Sequence, residues 1–202
     1  IYSPFPEEIN RELIGTIATY HFAPTINNRN NLLKENIKKE NIVVTGNTVI
    51  DALKIVLQNI KEDKAEEMKI INYIKELGYE INKKKFILVT GHRRENLGDG
   101  LINICNALKK IAKNNPNIDI VFPVHLNPKV RNVVYKILNN IKNIYLIEPL
   151  EYEKFIYIMS RCYFLLTDSG GIQEEAPSLN KPVLVMRETT ERTEALEAGT
   201  VK

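Results

Sequence analysis

The chain has 202 residues, of which 44% are hydrophobic and 26% charged, and its formal net charge is +3. This composition is typical of a globular protein with a substantial core, and the small charge excludes nucleic acid and anionic membranes as expected partners. No apolar run approaches the roughly 18 residues of a membrane span, and no signal peptide opens the sequence, so we expect a cytoplasmic protein. Cys105 and Cys162 lack a Cys-x-x-Cys spacing, which favours buried reduced thiols over a disulfide or a metal site.

Residues 1–41 predict a small group of elements at the start of the chain. After an irregular segment with two prolines, the pattern predicts a helix over residues 7–18, a short strand over 21–23 and a helix over 25–35. These elements are too few to bury a core of their own. We therefore expect residues 1–41 to be the C-terminal tail of a preceding Rossmann-like domain together with a linker.

From residue 42 onward, short apolar strands alternate with amphipathic helices. The predicted strands cover residues 42–45, 86–90, 118–122, 144–147, 164–167 and 183–186. The predicted helices cover residues 48–60, 64–77, 99–113, 128–138, 152–160 and 171–179. Residues 199–202 resemble the entry to one more strand. This alternation predicts an α/β domain over residues 42–202, with a doubly wound parallel sheet and a ligand at the carboxyl ends of its strands.

The turn after the strand at residues 164–167 predicts an anion site. Ser169, Gly170 and Gly171 stand where a strand gives way to a helix, and the free N–H groups and positive dipole end of a helix favour a phosphate there. Glu175 lies one helical turn beyond Gly171, so its carboxylate could accept the hydroxyls of a ribose. Together these residues predict a site for a nucleoside diphosphate, although a capped helix with acidic residues in its first turn would explain them equally.

A second candidate group follows the strand at residues 86–90. His92 could protonate a departing phosphate oxygen, and Arg93 or Arg94 could hold that oxygen with a guanidinium fork. As an alternative, one of the two arginines would only pair with Glu95. The position after a buried strand favours the functional interpretation of His92.

Three other positions allow two interpretations each. His125 follows the strand at residues 118–122, and it is either a site residue or a core histidine. Arg192 follows the strand at residues 183–186, where it could reach the same ligand or belong to a solvated charged turn. Glu7 and Glu8 open the first predicted helix, where paired acids could serve as a catalytic base or merely complement the helix dipole.

Eight segments in chain order carry a family resemblance. They are YSPFPEEINR, FAPT, NLLKEN, TGNTVIDAL, TGHRREN, PVHLNP, LTDSGGIQEEAPSL and KPVLVMRETTER. With them the chain resembles the non-hydrolysing UDP-N-acetylglucosamine 2-epimerases over essentially its whole length. The resemblance implies a GT-B fold of two Rossmann-like domains, of which this chain would supply the end of the first and most of the second, truncated at both ends.

The resemblance implies inversion at C2 of UDP-N-acetylglucosamine to give UDP-N-acetylmannosamine, a cell-surface polysaccharide precursor. In this family UDP is eliminated to leave a 2-acetamidoglucal and is then added back, without a cofactor or a metal. The resemblance also implies a homodimer. The alternatives are a hydrolysing 2-epimerase, a GT-B glycosyltransferase, or a UDP-binding fragment without turnover. We expect the isolated chain to be inactive, because the family's remaining acidic residues would lie upstream of it.

The resemblance also implies roles for individual residues. The catalytic positions are Glu7, as an acid/base, and His92, which would stabilise the departing diphosphate. The substrate-binding positions are Ser169, Gly170 and Gly171 for phosphate, Glu175 for the ribose, Arg192 for the diphosphate or sugar, and Phe155 beside the uracil. An allosteric site for a second substrate molecule would use Glu8, Arg93 and His125. Thr193 replaces a proline that is usual in the family, which would affect only loop stiffness.

Overall fold

The computed structural model describes residues 6–91, 93, 96–187, 199 and 201–202. The chain forms two compact units, Ile1–Ala52 and Leu53–Lys202. Helices alternate with parallel strands in both units, which confirms the α/β class predicted from the sequence.

The first unit contains two helices and one pair of strands. Its elements are α1 (Glu7–Ile17), β1 (His21–Ala23), α2 (Ile26–Lys34), a 3-10 turn (Lys39–Asn41) and β2 (Ile42–Val44). The two strands are parallel, with His21 opposite Ile42 and Ala23 opposite Val44. The strand at residue 42, which the sequence assigns to the second domain, therefore pairs inside the first unit. The origin of residues 1–41 as the tail of a preceding domain stays a prediction.

The second unit contains every helix and strand predicted beyond residue 48, with small shifts at their ends. The helices are α3 (Val49–Glu62, which begins in the first unit), α4 (Lys64–Glu76), α5 (Asp99–Asn114), α6 (Pro128–Leu138), α7 (Tyr152–Arg161) and α8 (Gly170–Ser178). The strands are β3 (Phe86–Thr90), β4 (Asp119–Pro123), β5 (Ile144–Ile147), β6 (Phe164–Thr167) and β7 (Val183–Val185). Val201 forms a parallel bridge to Val183, as the strand-like end of the sequence predicts.

The five strands of the second unit form one parallel sheet in the order β5-β4-β3-β6-β7. From β3 the chain builds outward to β4 and β5, and it then returns to place β6 on the other side of β3. The direction of winding thus reverses between β3 and β6. In open parallel sheets, ligands bind beyond the carboxyl ends of the strands at such a reversal, so the ends of β3 and β6 are the expected place for a site.

Both faces of this sheet are covered by helices. In β3, Phe86 and Leu88 belong to one apolar cluster with α3, α4, α7 and α8, whereas Ile87 and Val89 belong to a second cluster with α5 and α6. Successive side chains of a strand point to opposite faces, so burial on both sides requires a continuous apolar sequence. This explains why Phe86–Val89 is uniformly hydrophobic.

Cys105 and Cys162 are free thiols buried in these two clusters, as predicted. Burial raises the pKa of Cys105 to about 11, so this side chain stays a neutral thiol at physiological pH. Within the part of the chain that the structure describes, no helix is long and apolar enough to cross a membrane.

Candidate functional site

The carboxyl ends of β3 and β6 are joined by two threonines. The hydroxyl oxygens of Thr90 and Thr167 lie 2.6 Å apart, and Thr167 is fully buried. The same Thr167 hydroxyl accepts the backbone N–H of Ser169 at 3.0 Å, and the backbone N–H of Asp168 donates to the Thr90 carbonyl at 3.3 Å. The turn that carries Ser169 is therefore fixed to both strands at the point where winding reverses.

Helix α8 begins directly after this turn. Ser169 occupies the N-cap position, but its side chain makes no capping hydrogen bond, and the first turn of α8 contains no acidic residue. These findings contradict the interpretation of this segment as a side-chain-capped helix with acids in its first turn. The first N–H groups of a helix have no intrahelical acceptors. The start of α8 can therefore offer its N–H groups and positive dipole end to an anion.

Glu175 lies one turn along α8 from Gly171, as the spacing predicts. A Cβ atom placed on Gly171 would lie 3.4 Å from Glu175 Oε1 and 4.0 Å from Ser169 Oγ. The space above Gly171 is thus bordered by a carboxylate and a hydroxyl. Glu175 is half-buried, and desolvation raises its pKa, an effect that the nearby charge of Glu174 increases. A desolvated carboxylate of this kind gains from any ligand that brings hydrogen-bond donors.

Helix α7 contributes aromatic side chains. Phe155 is half-buried and packs against the cluster that contains α8, so it has a structural role irrespective of any ligand. Burial and then the negative charge of Glu175 raise the pKa of Tyr152. Tyr152 was not selected from the sequence, although its position three residues before Phe155 places both on one side of α7.

The buried carboxylate of Asp168 connects three segments of the second unit. Its Oδ2 accepts the backbone N–H of Arg93 at 2.9 Å and the side-chain amide of Asn96 at 3.0 Å. The Asn96 amide also donates to the carbonyl of Met186, just after β7, at 3.1 Å. A cavity of about 10 Å³, room for about one water molecule, lies beside Asp168 and Asn96. Sequence analysis singled out neither residue, because their contacts span 72 residues of chain.

Several predicted site residues fall outside the described residues. They are His92, Arg192 and the flanking positions Arg94, Glu95 and Thr193. His125 is exposed, so the interpretation as a core histidine is wrong; its Nδ1 accepts the backbone N–H of Asn127 at 3.1 Å. Among the described residues, no group of three side chains is arranged to hold a metal ion.

The two acids that begin α1 differ in their surroundings. Arg11 donates to Glu8 from Nη2 at 2.6 Å and also binds Glu35, at 2.8 and 3.0 Å. The hydrogen bond from Arg11 lowers the pKa of Glu8. Glu7 is exposed and forms no ion pair within the described part of the first unit. Of the two carboxylates, Glu8 is thus the one that a guanidinium binds within the described residues, and the catalytic role of Glu7 stays a prediction.

Comparison with known proteins places this geometry in a family. The sequence profile described as UDP-N-acetylglucosamine 2-epimerase matches residues 1–202. The chain belongs to the UDP-N-acetylglucosamine 2-epimerase family. It is 62% identical to the UDP-N-acetylglucosamine 2-epimerase of Campylobacter jejuni over 203 aligned residues, which cover 100% of this chain and 53% of that protein. The chain thus spans about half the length of the curated epimerases it matches.

Solved structures support the same assignment. The crystal structure of the Neisseria meningitidis enzyme bound to UDP-GlcNAc has a TM-score of 0.90 and 49% identity, covering 100% of this chain and 53% of the other. A Staphylococcus aureus structure with UDP, described as MnaA, has a TM-score of 0.83 and 48% identity, covering 100% of this chain and 51% of the other. The likeness to the Neisseria meningitidis epimerase confirms the GT-B-type fold class predicted from the sequence.

Proposed function

We propose that the full-length protein interconverts UDP-N-acetylglucosamine and UDP-N-acetylmannosamine by inversion at C2. The observation that carries the proposal is the start of α8, where Ser169 and Gly171 lie beside the half-buried carboxylate of Glu175. A diphosphate at the helix start and a ribose at Glu175 would use both features together. A UDP-sugar can undergo several reactions, and membership of the epimerase family favours inversion at C2 among them.

The proposed reaction explains the kinds of residue required. The proton at C2 of a pyranose is not acidic, but breaking the bond between C1 and the UDP oxygen creates cationic character at C1 and makes the neighbouring proton removable. Stabilising the departing diphosphate is therefore the main task, and it is assigned to the α8 start, His92 and Arg192. UDP then returns to C1 of the 2-acetamidoglucal while a proton is delivered to the opposite face of C2. Glu7 is assigned as one of the groups that move this proton.

The remaining assignments are Phe155 beside the uracil and Glu8, Arg93 and His125 in a second, activating substrate site. No cofactor or metal enters the proposed reaction. Sigmoidal dependence of the initial rate on UDP-N-acetylglucosamine, abolished by His125→Ala, would support the second site, and a hyperbolic dependence would argue against it. The homodimer, the cytoplasmic location and the lack of nucleic-acid and membrane partners stay predictions, which light scattering and cell fractionation would check.

The deciding experiment incubates the full-length protein with UDP-N-acetylglucosamine in D₂O, without NAD and with a chelator. The expected product is intact UDP-N-acetylmannosamine carrying deuterium at C2, because the proton removed exchanges with solvent. Release of UDP with free N-acetylmannosamine would indicate the hydrolysing reaction instead. Transfer of the sugar to an acceptor would indicate a glycosyltransferase. An absolute need for NAD or a metal would contradict the proposal.

A second outcome concerns the 202-residue chain on its own. We expect it to bind UDP without converting the sugar, because opposite-face proton transfer needs more than one positioned acid or base. Turnover by this chain alone would show that Glu7 and His92 suffice, and it would remove the need for residues elsewhere in the protein.

A further inference from the structure

The carboxylate of Asp168 lies at the reversal of the sheet, and none of the proposed chemical roles uses it. It is fully buried, and it accepts two hydrogen bonds from the segment that follows β3. One donor is the Arg93 N–H, which belongs to the peptide bond joining His92 to Arg93. The other is the side-chain amide of Asn96. A buried charge that binds two donors in one loop restrains that loop strongly, since charge-assisted hydrogen bonds are about twice as strong as neutral ones.

Asn96 extends this restraint to a third strand. Its side-chain amide donates one hydrogen bond to Asp168 and another to the carbonyl of Met186, at 3.1 Å. Met186 in turn donates its backbone N–H to the Thr167 carbonyl at 2.8 Å. The segments after β3, β6 and β7 are thereby connected through two side chains and one backbone bond. Those three segments lead, respectively, to His92, Ser169 and Arg192.

The surroundings of this connection are confined. Gly91 lies beside the carboxylate, where a Cβ would make ordinary contacts, 3.8 Å from Asp168 Oδ2 and 3.6 Å from the Met186 methyl carbon. The adjacent cavity of about 10 Å³ has room for about one water molecule. If one side chain is removed, a water molecule in this cavity could replace only part of the lost hydrogen bonds, so the segment after β3 would be held less firmly.

We propose that Asp168, acting with Asn96, is a positioning residue that ties Arg93 and Asn96, in the segment after β3, to the phosphate-binding turn, and so serves His92, which precedes Arg93 in the sequence. This inference rests on the proposed epimerase function, since His92 takes its role from it. Asp168 does not touch the substrate in this proposal. It accepts the backbone N–H of Arg93, and Asn96 joins the same segment to the carbonyl of Met186 at the end of β7.

The inference predicts a specific kinetic effect in the full-length protein. Asp168→Asn and Asn96→Ala should each lower kcat about 10- to 100-fold, as misplacement of a catalytic group by about an ångström does. The dissociation constant for UDP should rise by no more than about threefold, because removing a negative charge near the phosphate does not oppose UDP binding. The rate is divided by the number of UDP-binding sites found in each preparation, so that loss of folded protein does not count as loss of catalysis.

Asp119→Asn is the matched control. Asp119 is a buried aspartate of the same sheet, but it begins β4 and faces Lys84 at 3.6 Å, at the end of the strands away from the proposed site. Its substitution should lower stability and leave kcat per UDP site unchanged. If Asp168→Asn fails to fold, Asn96→Ala decides the question alone, since it removes only a side-chain amide from a half-buried loop.

Hydrogen exchange gives a readout that does not depend on turnover. Amides of residues 86–97 should exchange faster in Asp168→Asn and Asn96→Ala than in the parent or in Asp119→Asn. Unchanged exchange there, or a kcat per UDP site within about threefold of the parent in both variants, would overturn the inference. Failure of the parent protein to convert UDP-N-acetylglucosamine would instead contradict the proposed function. Hydrogen exchange alone would then test whether Asp168 restrains the segment after β3.

Discussion

At the scale of single residues, Glu175 destabilises the protein without ligand but is proposed to bind the ribose of UDP. Its pKa is raised by burial and by the charge of Glu174. The ionised carboxylate is therefore less favourable in the folded chain than in the unfolded chain. Glu175→Gln should therefore stabilise the empty protein at pH 7 while weakening UDP binding by about 1 to 3 kcal/mol, the usual loss for a charged hydrogen-bond partner. Calorimetric titration with UDP and thermal unfolding of the same samples would measure both.

The pH dependence of this substitution has a definite sign. Because the folded pKa of Glu175 lies above its ordinary value of 4.5, the folded chain binds more protons than the unfolded chain just above pH 4.5. The contribution of Glu175 to stability thus falls as pH rises through that window. The stability gain of Glu175→Gln should be largest near pH 7 and vanish below pH 4.5. Glu174→Gln is the control, and equal weakening of UDP binding by both would contradict the ribose assignment.

Gly171→Ala separates binding from folding. An added methyl group would meet Glu175 Oε1 at an ordinary contact distance of 3.4 Å, and alanine is favoured over glycine within a helix by about 0.5 to 1 kcal/mol. The variant should therefore be at least as stable as the parent. It should nonetheless bind UDP at least about tenfold more weakly, since the methyl group would occupy the space of the phosphate. Undiminished UDP affinity in a stable variant would place the phosphate elsewhere.

Some residues of the candidate site could be predicted from the sequence, and others could not. The relation between Gly171 and Glu175 follows from helical spacing alone, and the structure has it as predicted. Asp168 stands between Thr167 and Ser169 in the same motif, yet its role depends on donors 72 and 75 residues away. Contacts of that range depend on which strands become neighbours, and no local pattern contains that information.

At the scale of elements, the Thr167 hydroxyl makes two of the contacts at the ends of β3 and β6. Thr167→Val keeps the shape of the side chain but leaves both the Thr90 hydroxyl and the Ser169 N–H without their partner. The expected loss is about 2 to 6 kcal/mol of unfolding free energy, since each of the two groups left without a partner costs about 1 to 3 kcal/mol. Thr90→Val strands only one group and should cost about half as much. Urea unfolding, analysed with the same m-value for all variants, would measure the unfolding free energy of each. Equal losses of stability in the two variants would show that the Ser169 contact contributes nothing.

The extents of elements were more predictable than their partners. Strand β3 was predicted at Phe86–Thr90 because a strand buried on both faces must be apolar throughout. Strand β2 was also predicted, but its pairing with β1 was not. Its three residues, Ile42–Val44, are equally suited to either sheet, and only the register with β1 decides where they lie. Helix α8 begins at Gly170 rather than Gly171, because Ser169 takes the N-cap position.

At the scale of the whole molecule, the two units differ in how well each can stand alone. The second unit has two apolar clusters, one on each face of its sheet. In the first unit, many large apolar side chains are exposed: Leu13, Ile14, Ile17, Tyr20, Phe22 and Ile26. A sheet of two short strands is marginal in water without more partners. These exposed side chains support the proposal that the first unit is part of a larger Rossmann-like domain.

A shortened chain over residues 46–202 tests this division. It keeps α3 whole, with Leu53 and Ile60 in the core, and it contains every residue assigned to UDP: His92, Phe155, Ser169, Gly170, Gly171, Glu175 and Arg192. We expect it to unfold in one cooperative transition and to bind UDP within about threefold of the 202-residue chain, a difference below about 1 kcal/mol. Glu175→Gln in the shortened chain should weaken UDP binding as it does in the longer one. A cooperatively folded 46–202 chain that no longer binds UDP would mean that residues 1–45 contribute directly to the nucleotide site, and the UDP assignment would then have to include the first unit.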